Sequence, residues 1–323
     1  MSLSEGHRLA MLEPRSGKRR IVIDTDTFNE IDDQFAIVHA LLSPEAVTVE
    51  AIYAAPFVNE TTSNPAEGME LSYQEILALL ERLDIPDEGL VYRGLTRYVG
   101  PEKRPVAAPA VEDLIARARR ASPQDPLYVV AIAAISNVAS ALLAAPDIID
   151  RIVVIWLGGH AIEWQHQAEF NLEQDIGGVQ VLFDSGVPLV LVPCEGVTSI
   201  LHSTVPEIER YIEPHGEIGR FLAMRFKGYS DDHTGWAKEI WDMGATAWVL
   251  DPAWAPSALT PTPILTEDLH YATDRSRHLM RYVYAVNRNA IVQDFIRKIA
   301  ARSGSEPRSL TRTYHSLHSA TRS

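Results

Sequence analysis

Apolar positions along the chain follow two alternating rhythms. The block Arg20 to Ile23 reads as a short buried strand, and from Ile31 through Phe35, Val38 and Leu42 apolar residues recur at helical spacing. Val47 to Ala54 predicts a second strand and Met69 to Leu83 an amphipathic helix. A Pro- and Gly-punctuated stretch then runs to Pro109, before a helix near Val111 to Arg120. Leu127 to Ala133 is β-rich, Ile135-Ser136-Asn137 breaks it, and Val138 to Ala145 resumes as a helix. Arg151 to Leu157 and Pro188 to Pro193 predict further strands, with helical Asp175 to Phe183 between them. Such alternation predicts an α/β fold: a mainly parallel central sheet flanked by helices.

From about Val205 the pattern turns helical, with apolar stripes over Glu207 to Tyr211, Ile218 to Phe226, Ala237 to Leu250 and Tyr282 to Ala301. A hairpin-like segment is expected around Pro263 to Thr273. One large domain over 20–303 is therefore expected, preceded by a weakly tethered leader, 1–19, and followed by a polar tail, 304–323.

Composition narrows the partners. With 323 residues, 46% hydrophobic and 22% charged, the chain is of ordinary globular type, and its net charge of −14 disfavours nucleic acid or an anionic membrane. A small neutral or cationic ligand, or a divalent metal, fits better. The single cysteine, Cys194, excludes an intrachain disulfide and a Cys-rich zinc site, and suits a reducing cytoplasm. Met1 to Arg20 lacks the apolar core of a signal peptide, and Leu127 to Ala145 is too interrupted to span a membrane.

The candidate chemistry concentrates at the first strand-to-helix turn. Asp24, Asp26, Asp32 and Asp33 fall where an open α/β sheet binds its ligands. Carboxylates there can cap a helix, but four within ten residues repel one another unless a cation or shared protons offset them. Successive helical residues point about 100° apart, so one of Asp32 and Asp33 could hold a metal while the other holds substrate. Asn59 follows the second strand in a polar loop, and a polar, aromatic loop from His160 to Asn171 follows Gly158-Gly159. Asp242 opens a late apolar helix, where an N-cap role is the alternative. The P-loop, the G-x-S-x-G elbow and H-E-x-x-H are missing. The start Asp24-x-Asp26 resembles an EF-hand loop without its glycine, and also the nucleophile loop of haloacid-dehalogenase-like phosphatases, here without a matching lysine and late acidic pair.

Taken in order, Asp24-Thr25-Asp26, Asp32-Asp33, Ile135-Ser136-Asn137, Gly158-Gly159, Glu169-Phe170-Asn171 and Trp241-Asp242 resemble the motifs of the inosine-uridine-preferring nucleoside hydrolases, from about Arg20 to Ala301. The resemblance implies calcium-dependent cleavage of a ribonucleoside to free base and ribose. It makes Asp26, Asp33, Asp242 and the Ser136 carbonyl the calcium ligands, with Asp26 also taking the proton of the attacking water. Asp32 would hold the ribose 2′-hydroxyl, Glu169 and Asn171 the other hydroxyls, Asn59 would be a ribose contact, and Asp24 would orient its neighbours.

Two departures stand out. Thr27-Phe28-Asn29-Glu30 is two residues longer than the family's link, leaving Asn29 and Glu30 unassigned and both Asp24 and Asp26 as candidates for the base. Trp241 stands where members carry a histidine that protonates the leaving base, and an indole N–H cannot deliver a proton in this pH range. His160, His166 and His233 are candidate replacements. Trp164, His166 and Trp241 are expected to form an unusual base pocket. A homodimer or homotetramer is the expected assembly. The alternatives are a nucleoside- or sugar-binding protein that has lost turnover, and the phosphatase.

Overall fold

The computed structural model describes residues 3–304. Within them the chain runs α1 (Glu5–Leu12), β1 (Arg19–Thr25), α2 (Asp32–Leu41), β2 (Val47–Ala54), α3 (Pro65–Arg82), β3 (Val91–Arg93), α4 (Pro109–Arg120), β4 (Leu127–Ile132), α5 (Ser136–Ala144) and β5 (Ile152–Leu157). It continues with α6 (Phe170–Gln174), α7 (Ile176–Ser185), β6 (Leu189–Val192), β7 (His202–Ser203), α8 (Val205–Tyr211), α9 (Gly216–Lys227), β8 (Lys238–Glu239) and α10 (Met243–Leu250). The last elements are β9 (Ser257–Pro261), β10 (Ile264–Leu265), β11 (Tyr271–Ala272), β12 (Leu279–Val283) and α11 (Arg288–Arg302).

Eight strands form one sheet in the order β3-β2-β1-β4-β5-β6-β12-β9, parallel throughout except for the antiparallel edge pair β12–β9. Both faces are covered, which is why its central strands read as unbroken apolar runs. Ile21 and Ile23 of β1 pack with Phe35, Phe226, Trp248 and Phe295 on one side. Val22 faces the other, with Val129, Trp156 and Phe183. Helix α10 is buried at every position, matching its apolar, stripe-free sequence. Strand order reverses between β1 and β4, so the loops after these two strands part and leave a crevice at the carboxyl edge.

The mainly parallel sheet is as expected; the differences lie at its ends. The segment expected as a weakly tethered leader instead contains α1, whose Met11 and Leu12 are buried in the core and whose Leu12 carbonyl accepts from Arg281 Nε on β12. A short apolar stripe amid charges gave too little periodicity to show this. The helical C-terminal part holds α8 to α11, but only Met243–Leu250 of the 237–250 stripe is helical, and the last helix begins at Arg288. Leu279–Val283 is instead a strand, because β6 offers it a partner and β9 covers its other edge. The expected hairpin is present as β10–β11. The polar tail after Gly304 lies outside the described residues. Among the described residues no helix is long and apolar enough to cross a membrane.

Candidate active site

Where β1 ends, the chain is pinned before it enters α2. The Thr25 hydroxyl bonds Thr27 Oγ1 (2.8 Å) and donates to Asp33 Oδ1, Asn29 N donates to the Asp26 carbonyl (2.7 Å), and the Gln34 amide donates back to the Thr27 carbonyl (2.7 Å). These bonds fix the lengthened loop and bury the carboxylates of Asp24, Asp26, Asp32 and Asp33. No side-chain cap bond forms at the start of α2, and Asp242, in the N-cap position of α10, makes none either. Both apolar helices are packed into the same side of the sheet, and their starts bring oxygens of Asp32, Asp33 and Asp242 within 4.8 Å of one another.

Such crowding shows in the titration of the group. Burial, and then repulsion from Asp33 and Asp32, raises Asp26 well above the ordinary carboxylate range. Asp33 and Asp242 are raised likewise, by burial and then by their acidic neighbours. Asp32 is pushed to about 7 by burial and Glu30, with Lys238 opposing. Among the described residues Asp26 Oδ2 is buried without a hydrogen-bond partner. A hard cation fits this set: several carboxylate oxygens, one of them unpartnered, with neither His nor Cys in the group.

A cleft of about 220 Å³ opens over these residues, lined by Asp26, Asn29, Glu30, Asp32, Asp33 and Asp242. Glu169, Asn171, His160, Cys194, Glu195 and Trp241 also line it. Glu169 caps α6: its carboxylate accepts from the backbone N–H groups of Asn171 (3.0 Å), Leu172 (3.0 Å) and Gly159 (2.8 Å). Gly159 can present that N–H because its φ of +68° is one that residues with a side chain rarely adopt, and a Cβ there would clash with Tyr271 OH. Burial raises Glu169 to about 7 against those bonds. Asn171 Nδ2 donates to the Leu157 carbonyl at 3.1 Å.

Other expected residues stand behind this wall. Asp24 is fully buried off the cleft, accepting from Asn137 Nδ2 at 2.7 Å, which favours Asp26 over Asp24 as the base. Ser136 opens α5 and its hydroxyl donates to Asp175 Oδ2 (2.6 Å). Asp175 in turn accepts from Val99, Gly100 and Gly178 N–H, tying three segments together. Asn59 does not line the cleft; it donates to Asn29 Oδ1 (3.1 Å), which does.

The expected base pocket of Trp164, His166 and Trp241 is not assembled, because only Trp241 lines the cleft. Trp164 is 48% exposed, and His166 packs edge-on against His270 and accepts from Ala168 N. The His160–Asn171 loop turns both outward, an orientation its composition does not encode. His233 lies off the cleft, at 2.9 Å from the Lys227 carbonyl. Sequence reasoning did not pick out Glu195, Cys194 or the pair behind Glu30: Lys238 Nζ lies 2.6 Å from Glu30 Oε2, and Tyr229 OH donates to Glu30 Oε1 at 3.0 Å. Position just past strand β6 is the signal that could have found Cys194 and Glu195.

Fold and cleft define a doubly covered α/β protein with an acidic, cation-ready crevice at the strand ends. The family model for the inosine-uridine preferring nucleoside hydrolases matches residues 21–293, and the chain belongs to that family of enzymes. A pyrimidine-specific ribonucleoside hydrolase, RihA, of Klebsiella pneumoniae (strain 342) is 31% identical over 259 residues, 72% of this chain and 79% of that protein. RihA of Salmonella typhimurium is 29% identical over 258 residues, with the same coverage. In structure the chain is similar to a purine-preferring ribonucleoside hydrolase from Gardnerella vaginalis, with TM-score 0.67, 20% identity, and 88% and 99% of the two chains covered. A nucleoside hydrolase from Bacillus anthracis matches with TM-score 0.65 and 16% identity, over 88% and 99%. The phosphatase alternative is set aside by this membership.

Proposed function

We propose that this protein hydrolyses the N-glycosidic bond of a ribonucleoside, releasing free base and ribose, and that it does so with calcium. The observation that carries the reading is the convergence of Asp26, Asp32, Asp33 and Asp242 on one cleft that Glu169 and Asn171 also line. Asp26, Asp33 and Asp242, with the Ser136 carbonyl, would hold the ion. When bound, it would lower the pKa of a water and chelate the ribose diol.

The remaining steps belong to the chain itself. Asp26, with its free oxygen, accepts the proton of the water that attacks C1′. Asp32 holds the 2′-hydroxyl, and Glu169 and Asn171 take the other hydroxyls, while Asn59 acts through Asn29. As the base departs, the sugar gains oxocarbenium character, which the surrounding carboxylates stabilise electrostatically. The proposal extends to a homodimer or homotetramer in the cytoplasm, supported by the lone buried thiol of Cys194 and by exposed apolar side chains such as Trp164.

Reducing-sugar release from purine, pyrimidine and pyridinium ribosides, with calcium or with excess chelator, tests the reading. Calcium-dependent release from at least one riboside is expected. Tight binding without release would favour the binding-protein alternative, which Trp241 at the leaving-group histidine's place motivates.

A further inference from the structure

Carboxylates dominate the cleft: Asp26, Glu30, Asp32, Asp33, Glu169, Glu195 and Asp242 all line it. On the reading above, an ion and the ribose engage Asp26, Asp32, Asp33, Asp242, Glu169 and Asn171. Of the remaining lining, Asn29, Glu30, His160, Phe170, Cys194, Glu195 and Trp241 carry the polar or aromatic groups left for the aglycone, beside the apolar Ile132, Leu157 and Ala168. Glu30 is held by Lys238 and Tyr229, so its position is fixed. Among the described residues Glu195 has no cationic partner within ion-pair distance. Lys238 thus pairs with one of these carboxylates, Glu30, and a divalent ion would face Asp26, Asp33 and Asp242, leaving the rest of the wall anionic.

Nothing at that end is set up to give a proton to a departing base. Trp241 offers an indole N–H and Asn29 an amide, hydrogen-bond donors that are not acids at neutral pH, and burial pushes the Cys194 thiol up so that it holds its proton. Both ring nitrogens of His160 are engaged by the backbone, Nε2 with the Ala168 carbonyl (3.0 Å) and Nδ1 with Glu195 N–H (3.4 Å). A neutral purine or pyrimidine carries away negative charge unless it is protonated, and negative charge is what these walls repel. A π-face beside carboxylates is instead the composition that recognises a planar organic cation.

We infer that the aglycone end of this cleft is built for a cationic nitrogen heterocycle, so that the preferred substrates are N-ribosides of pyridinium type. The inference rests on the hydrolase reading and narrows its substrate class. Its chemistry closes without an acid. The water oxygen bonds to C1′ as the C1′–N bond breaks, and the bonding pair moves onto the ring nitrogen and cancels its charge. The heterocycle leaves neutral, and the water's proton passes to Asp26 and then to solvent. Glu30 and Glu195 act here as specificity residues, since they meet the aglycone and not the bond being broken.

The test uses the full chain with calcium and compares kcat/KM for nicotinamide riboside, a pyridinium N-riboside, with that for uridine and inosine. Because pyridinium ribosides are inherently more labile, the decisive quantity is the change in that ratio in Glu30→Gln and Glu195→Gln. Two separate variants keep the test meaningful if Glu30→Gln disturbs its loop. Expected are a faster pyridinium substrate and a ratio that falls about tenfold in at least one variant. Uridine or inosine cleaved as fast as the pyridinium riboside, or a ratio unmoved in both variants, overturns the inference while the hydrolase reading stands. No sugar released from any riboside overturns both.

Discussion

Asp26 and Asp24 are two residues apart and share a chemistry, yet their surroundings assign them different work. Asp24 is still within β1, and its carboxylate is held by Asn137 behind the cleft. Each keeps one buried oxygen unpartnered, but only Asp26, past the strand's end, lines the cleft. Asp26→Ala should fold normally and lose at least ~10²-fold in kcat, the lower end of what positioned proton transfer contributes. Near-wild-type turnover in a variant with unaltered circular dichroism would remove it from the mechanism. The sequence placed both aspartates on one turn but could not say which faces the ligand. Trp164 and His166 show the same gap: the polar, aromatic character of their loop was legible, whereas the outward direction of those two side chains depends on neighbours such as His270.

At the level of elements, the site is a set of strand ends and helix starts held in register by buried polar ties. Asp175 is the clearest of these. It caps α7, accepts from Val99 and Gly100 in the loop before α4, and takes the Ser136 hydroxyl at the start of α5. Asp175→Ala leaves those donors buried and unpaired, at about 1–3 kcal/mol for each group lost. Denaturant unfolding should show a loss of at least ~2 kcal/mol, with a rise in KM as the Ser136 turn loosens. A variant as stable as the parent would show that water replaces the carboxylate. Strands with neighbours on both sides were readable because burial on both faces makes them continuously apolar. The pair β9 and β12 was not, since its pattern is mixed and its pairing with β6 depends on a distant part of the chain.

The whole molecule carries a burden of buried negative charge that should make its stability respond to pH and metal together. Burial raises Asp24 and Glu169 to about 7 from ordinary values of 3.8 and 4.5. The folded protein thus binds their protons more tightly than the unfolded chain does. The resulting stability is complete below about pH 4 and is lost as pH rises through about 7, by up to roughly 1.4 kcal/mol per pH unit for each group. Metal-stripped protein should therefore gain Tm as pH falls from about 8 to about 6, and calcium should raise Tm most at the upper end and flatten the slope. Scanning calorimetry of the stripped protein showing a lower Tm at pH 6 than at pH 8 would contradict this.

By itself the sequence determined the alternating strands and helices, the carboxylate-rich turn after β1 and the order of the motifs, because periodicity and turn chemistry are local properties of the backbone. Only the tertiary structure decided that Asp242 meets Asp32 and Asp33, that Glu30 is anchored by Lys238 and Tyr229, and that Glu195 completes the cleft wall. Those contacts join residues far apart in the chain. They exist because burying α2 and α10 against one face of the sheet fixes where the two helices begin.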